Sequence, residues 1–228
     1  MTKALFWDFD GTLIHPNESF LNAMQNALQA YEYRVTVEET RQFLHSVCSW
    51  YTPEISYADN TGEKWWVSLF NRFHEFYENH CVAENDFDKV NAEFRRQITE
   101  LRINTVLYTD TITVLQKCIE RGYKNYILSN NYPELPLTVK ELGLSDFFTN
   151  YIVSANVGYE KPRIELFKYA LEIANTPVCS YMIGDNPVAD IQGGKLAGMK
   201  TIYVHSESPS GADFMCKDLI DVLAILSL

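Results

Sequence analysis

Apolar positions follow two rhythms along this chain, and the change of rhythm divides it. The first apolar run, from Ala4 to Phe9, stops in Asp10-Gly11-Thr12-Leu13 after a carboxylate at Asp8. A run of that length predicts a buried strand that delivers acidic side chains to a sheet edge. From about Pro16 to Arg102 the spacing turns helical. Phe20, Ala23, Met24, Ala27, Leu28 and Tyr31 share one face of a helix predicted from Ser19 to Tyr33, and Thr36 with Glu39 reads as a capping box for the next. Helices are expected from Glu63 to about Cys81 and from Asp86 to about Leu101, with a turn-rich aromatic loop from Ser49 to Gly62 before them. Four or so helices therefore follow the first strand, and their rings, among them Trp65, Trp66, Phe73 and Tyr77, supply a core of their own.

From Thr109 onward short apolar runs alternate with helical stretches, the pattern of βαβ units and a parallel sheet. Strands are predicted at Tyr126–Leu128, Tyr151–Ser154, Tyr181–Ile183 and, last, Thr201–Val204. Helices are predicted from Thr111 to Arg121, Glu134 to Leu142, Pro162 to Ala174, Pro187 to Gly198 and Asp218 to Leu226. The prolines at 162 and 187 are read as helix openers.

Composition narrows the partners. A formal charge of -11 on 228 residues opposes attraction to phosphate backbones and anionic lipid, so neither nucleic acid nor membrane is expected as a partner. An anionic substrate then needs a locally positive site. Five scattered cysteines without a CxxC pair, and an N-terminal run broken by Asp8 and Asp10, give a reducing, cytoplasmic compartment as the expectation.

The chemistry sits at the predicted strand ends: Asp8 and Asp10, Ser129 and Asn130, Asp185 and Asp190. Strands of a parallel sheet end along one edge, so these side chains can surround one ligand, with Lys161 in a loop nearby. Aspartates at i and i+2 of an extended chain repel unless a cation joins them, and a hard divalent metal suits such oxygens. Each residue alone also has a plain reading: Asp-Gly as a turn, Asp185 as a residue before a proline-opened helix, Lys161 as a surface charge. The histidines form no metal-binding pair and are expected in surface or packing roles.

Taken together, DFDGTL at Asp8 to Leu13, Ser129 within ILSNN, Lys161 within YEKPRIELF and GDNPVAD from Gly184 to Asp190 resemble, in order and across nearly the whole chain, the haloacid dehalogenase superfamily. The resemblance implies an α/β fold, a Rossmann-like parallel sheet with helices on both faces (residues 1–15 and 103–228), and an all-helical cap domain inserted after the first strand (16–102). It further implies a Mg2+-dependent phosphatase acting on a small phosphorylated metabolite. Asp8 would be the nucleophile that forms an aspartyl-phosphate, Asp10 the general acid and base, and Lys161 the partner of both nucleophile and phosphate. Asp8, the Asp10 carbonyl and Asp185 would hold the metal, with Asp190 supporting it. Gly11, Thr12, Ser129 and Asn130 would lie against the phosphate.

The rival readings are a phosphomutase of the β-phosphoglucomutase kind, a 2-haloacid dehalogenase, a phosphonate-cleaving enzyme with Lys64 as its cap lysine, and a catalytically inactive binding module. Asp10 and Asp185 weigh against the dehalogenase. Trp50, Trp65, Arg41 and Lys64 are candidates for substrate contacts, with a wide aromatic pocket pointing to nucleotides and a small polar one to phosphoglycolate or sugar phosphates. A monomer or weak homodimer is expected.

Overall fold

The computed structural model describes residues 2–101 and 105–227. The first strand, β1 (Lys3–Trp7), lies inside the sheet and is buried along Ala4–Trp7. Its alternation decides the layers. Leu5 and Trp7 face one apolar cluster, while Ala4 and Phe6 face another, so both sides of the sheet need covering.

Helices supply the cover. Val114, Leu115 and Cys118 of α5 (Thr111–Glu120) pack on the Leu5 side, and Leu166, Phe167 and Ala170 of α8 (Ile164–Ile173) on the Phe6 side. The other strands are β2 (Tyr123–Ser129), β3 (Phe148–Val153), β4 (Cys179–Gly184), β5 (Lys200–Val204) and β6 (Phe214–Cys216). All pair in parallel, in the order β3-β2-β1-β4-β5-β6. The expected α/β parallel sheet is therefore present. The chain moves outward from β1 to β2 and β3, then returns to β1's other side as β4. Strand order reverses there, and the crevice beyond the carboxyl ends of β1 and β4 is where such sheets take ligands.

Between β1 and β2 come α1 (Ser19–Ala30), α2 (Val37–Val47), α3 (Glu63–Asn79) and α4 (Phe87–Arg96). The Thr36/Glu39 capping box opens α2. Trp66, Phe73, Tyr77 and Phe94 are buried in a cluster shared by these helices. The domain boundary expected between 102 and 103 lies outside the described residues. No described helix is long and apolar enough to cross a membrane.

Three stretches differ from expectation. Ser154 leaves the strand to start α7 (Ser154–Val157). Pro162 does not open α8, because a turn closed by Arg163 N to Glu160 O (2.9 Å) precedes it and the helix begins at Ile164. β6 extends the sheet beyond the strand expected to be last, and only Cys216 of its three residues is buried. A fourth element is shorter than expected: the C-terminal helix narrows to a 3-10 turn, Leu219–Asp221, and α10 (Val222–Ile225). Pro187 does begin a helical stretch, π-wound through Gln192, continued as α9 (Gly193–Leu196) and capped by the Asn186 side chain, which accepts from the backbone of Val188 and Ala189. The helix expected after β2 is α6 (Leu135–Glu141).

The aromatic loop is bound tightly to the segment that follows β3. Tyr57 N donates to Gly158 O (3.0 Å), Gly62 N to Ala155 O (2.9 Å) and Arg163 Nη1 to Glu54 O (2.9 Å). Gly158 sits at φ 93, and a Cβ there would come within 2.3 Å of the Ala58 Cα. A Gly158→Ala substitution thus combines a disfavoured backbone with a backbone collision and should cost roughly 1–3 kcal/mol. The measurement is the urea midpoint, and an unchanged midpoint contradicts this packing.

Candidate active site

The carboxyl end of β1 places Asp8 beside β4, where Asp8 N donates to Ile183 O (2.9 Å). One residue past the end of β4 comes Asp185. Gly11 makes this meeting possible: its φ of 75 suits glycine, and a Cβ would lie 2.2 Å from Asp185 Oδ2. Thr12, buried, donates its hydroxyl to Asp185 Oδ1 (3.0 Å) and so fixes that carboxylate.

Lys161 is enclosed in protein and reaches two carboxylates, Asp8 Oδ1 at 2.8 Å and Asp190 Oδ1 at 2.6 Å. Burial works against its charge, yet Asp190 and Asp8 together hold its pKa above that of an ordinary lysine. Asp190, wholly buried, has a carboxyl that burial pushes up, and the ammonium beside it acts in the opposite sense. Its other oxygen accepts from Asn186 N (3.0 Å).

Asp10 faces the open cleft. Crowding by protein raises its carboxyl to about 7, with the charge of Asp8 pushing the same way and the Asn131 hydrogen bond resisting. Contact with cleft water tempers the burial effect, but repulsion from Asp8 and Asp185 keeps the direction upward.

Asn131 was not singled out by sequence reasoning. Its Nδ2 donates to Asp10 Oδ2 (2.6 Å) and to Ser129 Oγ (3.4 Å), so it aims the Asp10 carboxyl. Asn130 next to it turns the other way: its Nδ2 donates to Lys161 O (3.0 Å) and its Oδ1 accepts from Lys161 N (2.7 Å). It therefore holds the lysine loop, although it also borders the cleft. Glu160 was missed as well. This fully buried carboxyl accepts from Ser49 Oγ (2.6 Å) and from the Tyr57 hydroxyl on Oε1, while Oε2 has no hydrogen-bond partner. An acid beside a lysine carries no sequence signal of such burial.

Among the described residues, Asp8, Asp185 and Asp190 form a group with one oxygen each within 4.8 Å of one another. Four carboxylates, counting Asp10, share one ammonium, and burial disfavours the charged forms of Asp10 and Asp185 in particular. An all-oxygen, electron-rich set of this kind fits a hard divalent cation. Asp190 has both oxygens engaged by Lys161 and Asn186, which leaves Asp8 and Asp185 as the better placed pair.

Above these groups opens a cleft of about 570 Å3. Trp50 and Arg41 line it, whereas Trp65 is buried among the helices and Lys64 is exposed away from it.

A family model for haloacid dehalogenase-like hydrolases matches residues 2–198. The chain belongs to that family. It is a hydrolase, and relatives whose function is curated agree with that class. Pyrimidine 5'-nucleotidase YjjG of Escherichia coli (strain K12) is 36% identical over 103 residues, a match spanning 42% of this chain and 46% of that protein. Pyrophosphatase PpaX of Bacillus pumilus (strain SAFR-032) is 29% identical over 234 residues, covering 98% of this chain and 96% of that protein. The fold also matches the crystal structure of the HAD-hydrolase YfnB from Bacillus subtilis, which is bound to magnesium, with a TM-score of 0.74 and 20% identity over 100% of this chain and 99% of that one.

The raised carboxyls set a pH dependence. Without a cation the folded chain holds more protons than the unfolded one from about pH 4 upward through the folded pKa values, about 7 for Asp10, so stability falls as pH rises across that window. A divalent cation held by these carboxylates would replace those protons. Adding millimolar Mg2+ to EDTA-treated protein should raise Tm more at pH 8 than at pH 5, and Asp185→Asn should remove most of the difference. Equal shifts at both pH values would contradict a carboxylate-bound ion.

Proposed function

We propose that this hydrolase is a Mg2+-dependent phosphatase of a small phosphorylated metabolite, acting through Asp8. The observation that carries the reading is the meeting of Asp8, Asp10, Lys161 and Asp185 at the β1/β4 crevice, one ammonium among acids with a cleft above them. Phosphoryl transfer asks a protein mainly for positioning and charge neutralisation. Relatives named as a nucleotidase and a pyrophosphatase work on phosphate compounds, which supports the same class.

In this mechanism an Asp8 oxygen bonds to phosphorus as the bond from phosphorus to the leaving oxygen breaks. Asp10, whose raised carboxyl keeps a protonated fraction toward neutral pH and which Asn131 aims, gives its proton to that oxygen, and the alcohol departs. Asp10, now ionised, takes a proton from the incoming water. The water oxygen bonds to phosphorus, inorganic phosphate leaves, and the Asp8 carboxylate is restored. Lys161 holds Asp8 in place and offsets negative charge through both steps. Mg2+, when held by Asp8, Asp185 and the main-chain oxygen of Asp10, supplies Lewis-acid neutralisation of the phosphate. Ser129, buried at the end of β2, and Thr12 border the phosphate position, with Asn130 and Asp190 holding Lys161. The helices expected over 16–102 act as the cap that keeps bulk water from the charged intermediate.

Two substitutions test the roles. Asp8→Asn abolishes turnover of p-nitrophenyl phosphate and of alkyl phosphates in Mg2+ buffer. Asp10→Asn lowers kcat on alkyl phosphates by about 10²–10⁴-fold and loses less on p-nitrophenyl phosphate, whose phenolate leaves without a proton. Equal losses on both substrates would falsify the acid role of Asp10.

A further inference from the structure

The cleft has two unlike ends, and the far end bears on what the substrate carries besides phosphate. Trp50 and Tyr51 follow Ser49, which is anchored to Glu160 beside Lys161. Trp50 is held from behind by Trp65, with ring centroids 6.2 Å apart and planes 24° from parallel, and edge-on by Phe20 at 4.9 Å. Tyr51 rests on His45 at 4.2 Å yet remains 49% exposed. Trp50, Tyr51, Phe20 and His45 line the same cleft as Asp8 and Lys161. A rigid ring face at the wall of a polar site is suited to a planar guest.

The charges there narrow the guest further. Among the described residues lining the cleft, the lysine and arginine side chains are Lys161 and Arg41. Lys161 is committed to Asp8 and Asp190, and Arg41 pairs with Glu18, which borders the same cleft. A second phosphate or a carboxylate on the substrate finds no unpaired lysine or arginine among them. The ring faces themselves offer hydroxyls no hydrogen bonds, so a polyhydroxylated chain laid against them gains less than a flat ring does. A volume of about 570 Å3 is also far more than a two- or three-carbon phosphate fills, and falls within the roughly 300–1,000 Å3 of sites for drug-sized ligands.

We propose that the substrate is a phosphate monoester whose alcohol carries a planar heteroaromatic ring, a nucleoside monophosphate, with the ring stacked on Trp50, Tyr51 closing its edge from a plane tilted 55° to Trp50, and the phosphate at Asp8. The inference rests on the phosphatase reading above and adds the identity of the leaving group. It also separates this chain from the pyrophosphatase that it matches along almost its whole length, since a diphosphate needs cations, and those among the described residues of the cleft are already paired.

The test measures kcat/KM of the full-length protein with Mg2+ on the monophosphates of uridine, cytidine, adenosine and guanosine, and on phosphoglycolate, glucose 6-phosphate and pyrophosphate. At least one nucleoside monophosphate should exceed all three others by about tenfold or more. Trp50→Ala and Tyr51→Ala should each reduce that preference by about tenfold, chiefly through KM, while Trp50→Phe retains most of it. Circular dichroism checks that each variant is folded, and the exposed Tyr51 supplies a reading if Trp50→Ala is not. Preference for phosphoglycolate, glucose 6-phosphate or pyrophosphate overturns the inference and leaves the phosphatase standing. Equal losses on every substrate in folded Trp50 and Tyr51 variants overturn it too. Failure of every phosphate, p-nitrophenyl phosphate included, removes both.

Discussion

One buried ammonium ties the site together. Lys161 comes from the loop after β3, Asp8 from the end of β1 and Asp190 from the stretch after β4, and the three meet with contacts of 2.8 and 2.6 Å. Removing one partner of such a buried pair typically costs about 3–5 kcal/mol, because the charge left behind has nowhere to go. The same expense explains the surroundings. Asn130 grips the lysine main chain at both ends of its amide, Asn186 N takes the remaining Asp190 oxygen, and Thr12 steadies Asp185. The Asn130 bonds hold the lysine loop, and those to Asp190 and Asp185 keep a carboxylate from turning away from a position it would not hold by charge alone.

Much of this frame was legible in the chain. An apolar run cut short by an acid marks both a strand and its end, so β1 and β4 and the acids after them could be read together. Parallel order then followed from the alternation with helices. What stayed hidden depends on contacts between segments far apart. Thr12 and Asp185 are 173 positions apart, and nothing near either predicts their hydrogen bond. Asn130 and Asn131 are chemically identical neighbours whose side chains serve opposite ends of the site, a choice made by backbone direction after β2. β6 is too short and too exposed to leave a periodic trace.

The conformation of the aromatic loop is not legible in its own residues. Its conformation is dictated by partners from outside it: Gly158 and Ala155 main-chain oxygens, the Arg163 side chain and the Glu160 carboxyl. Glu160 itself has an oxygen without a partner, and burial pushes its carboxyl up, while Ser49, Tyr57, Ser154 and Lys161 all act to lower it. A group so placed is tolerated where the contacts around it fix a conformation that the chain would not otherwise choose.

The anchorage of Ser49 to Glu160 gives the molecule a ruler. Trp50 and Tyr51 stand one and two residues beyond one end of that bond, and Lys161 stands one residue beyond the other. The span from the Lys161 ammonium to the ring face is thereby set by short covalent tethers rather than by the drift of a whole lid. For the proposed ring-bearing phosphate, reach then counts as well as flatness, because a ring on too short or too long an arm would meet the wall out of step with its phosphate.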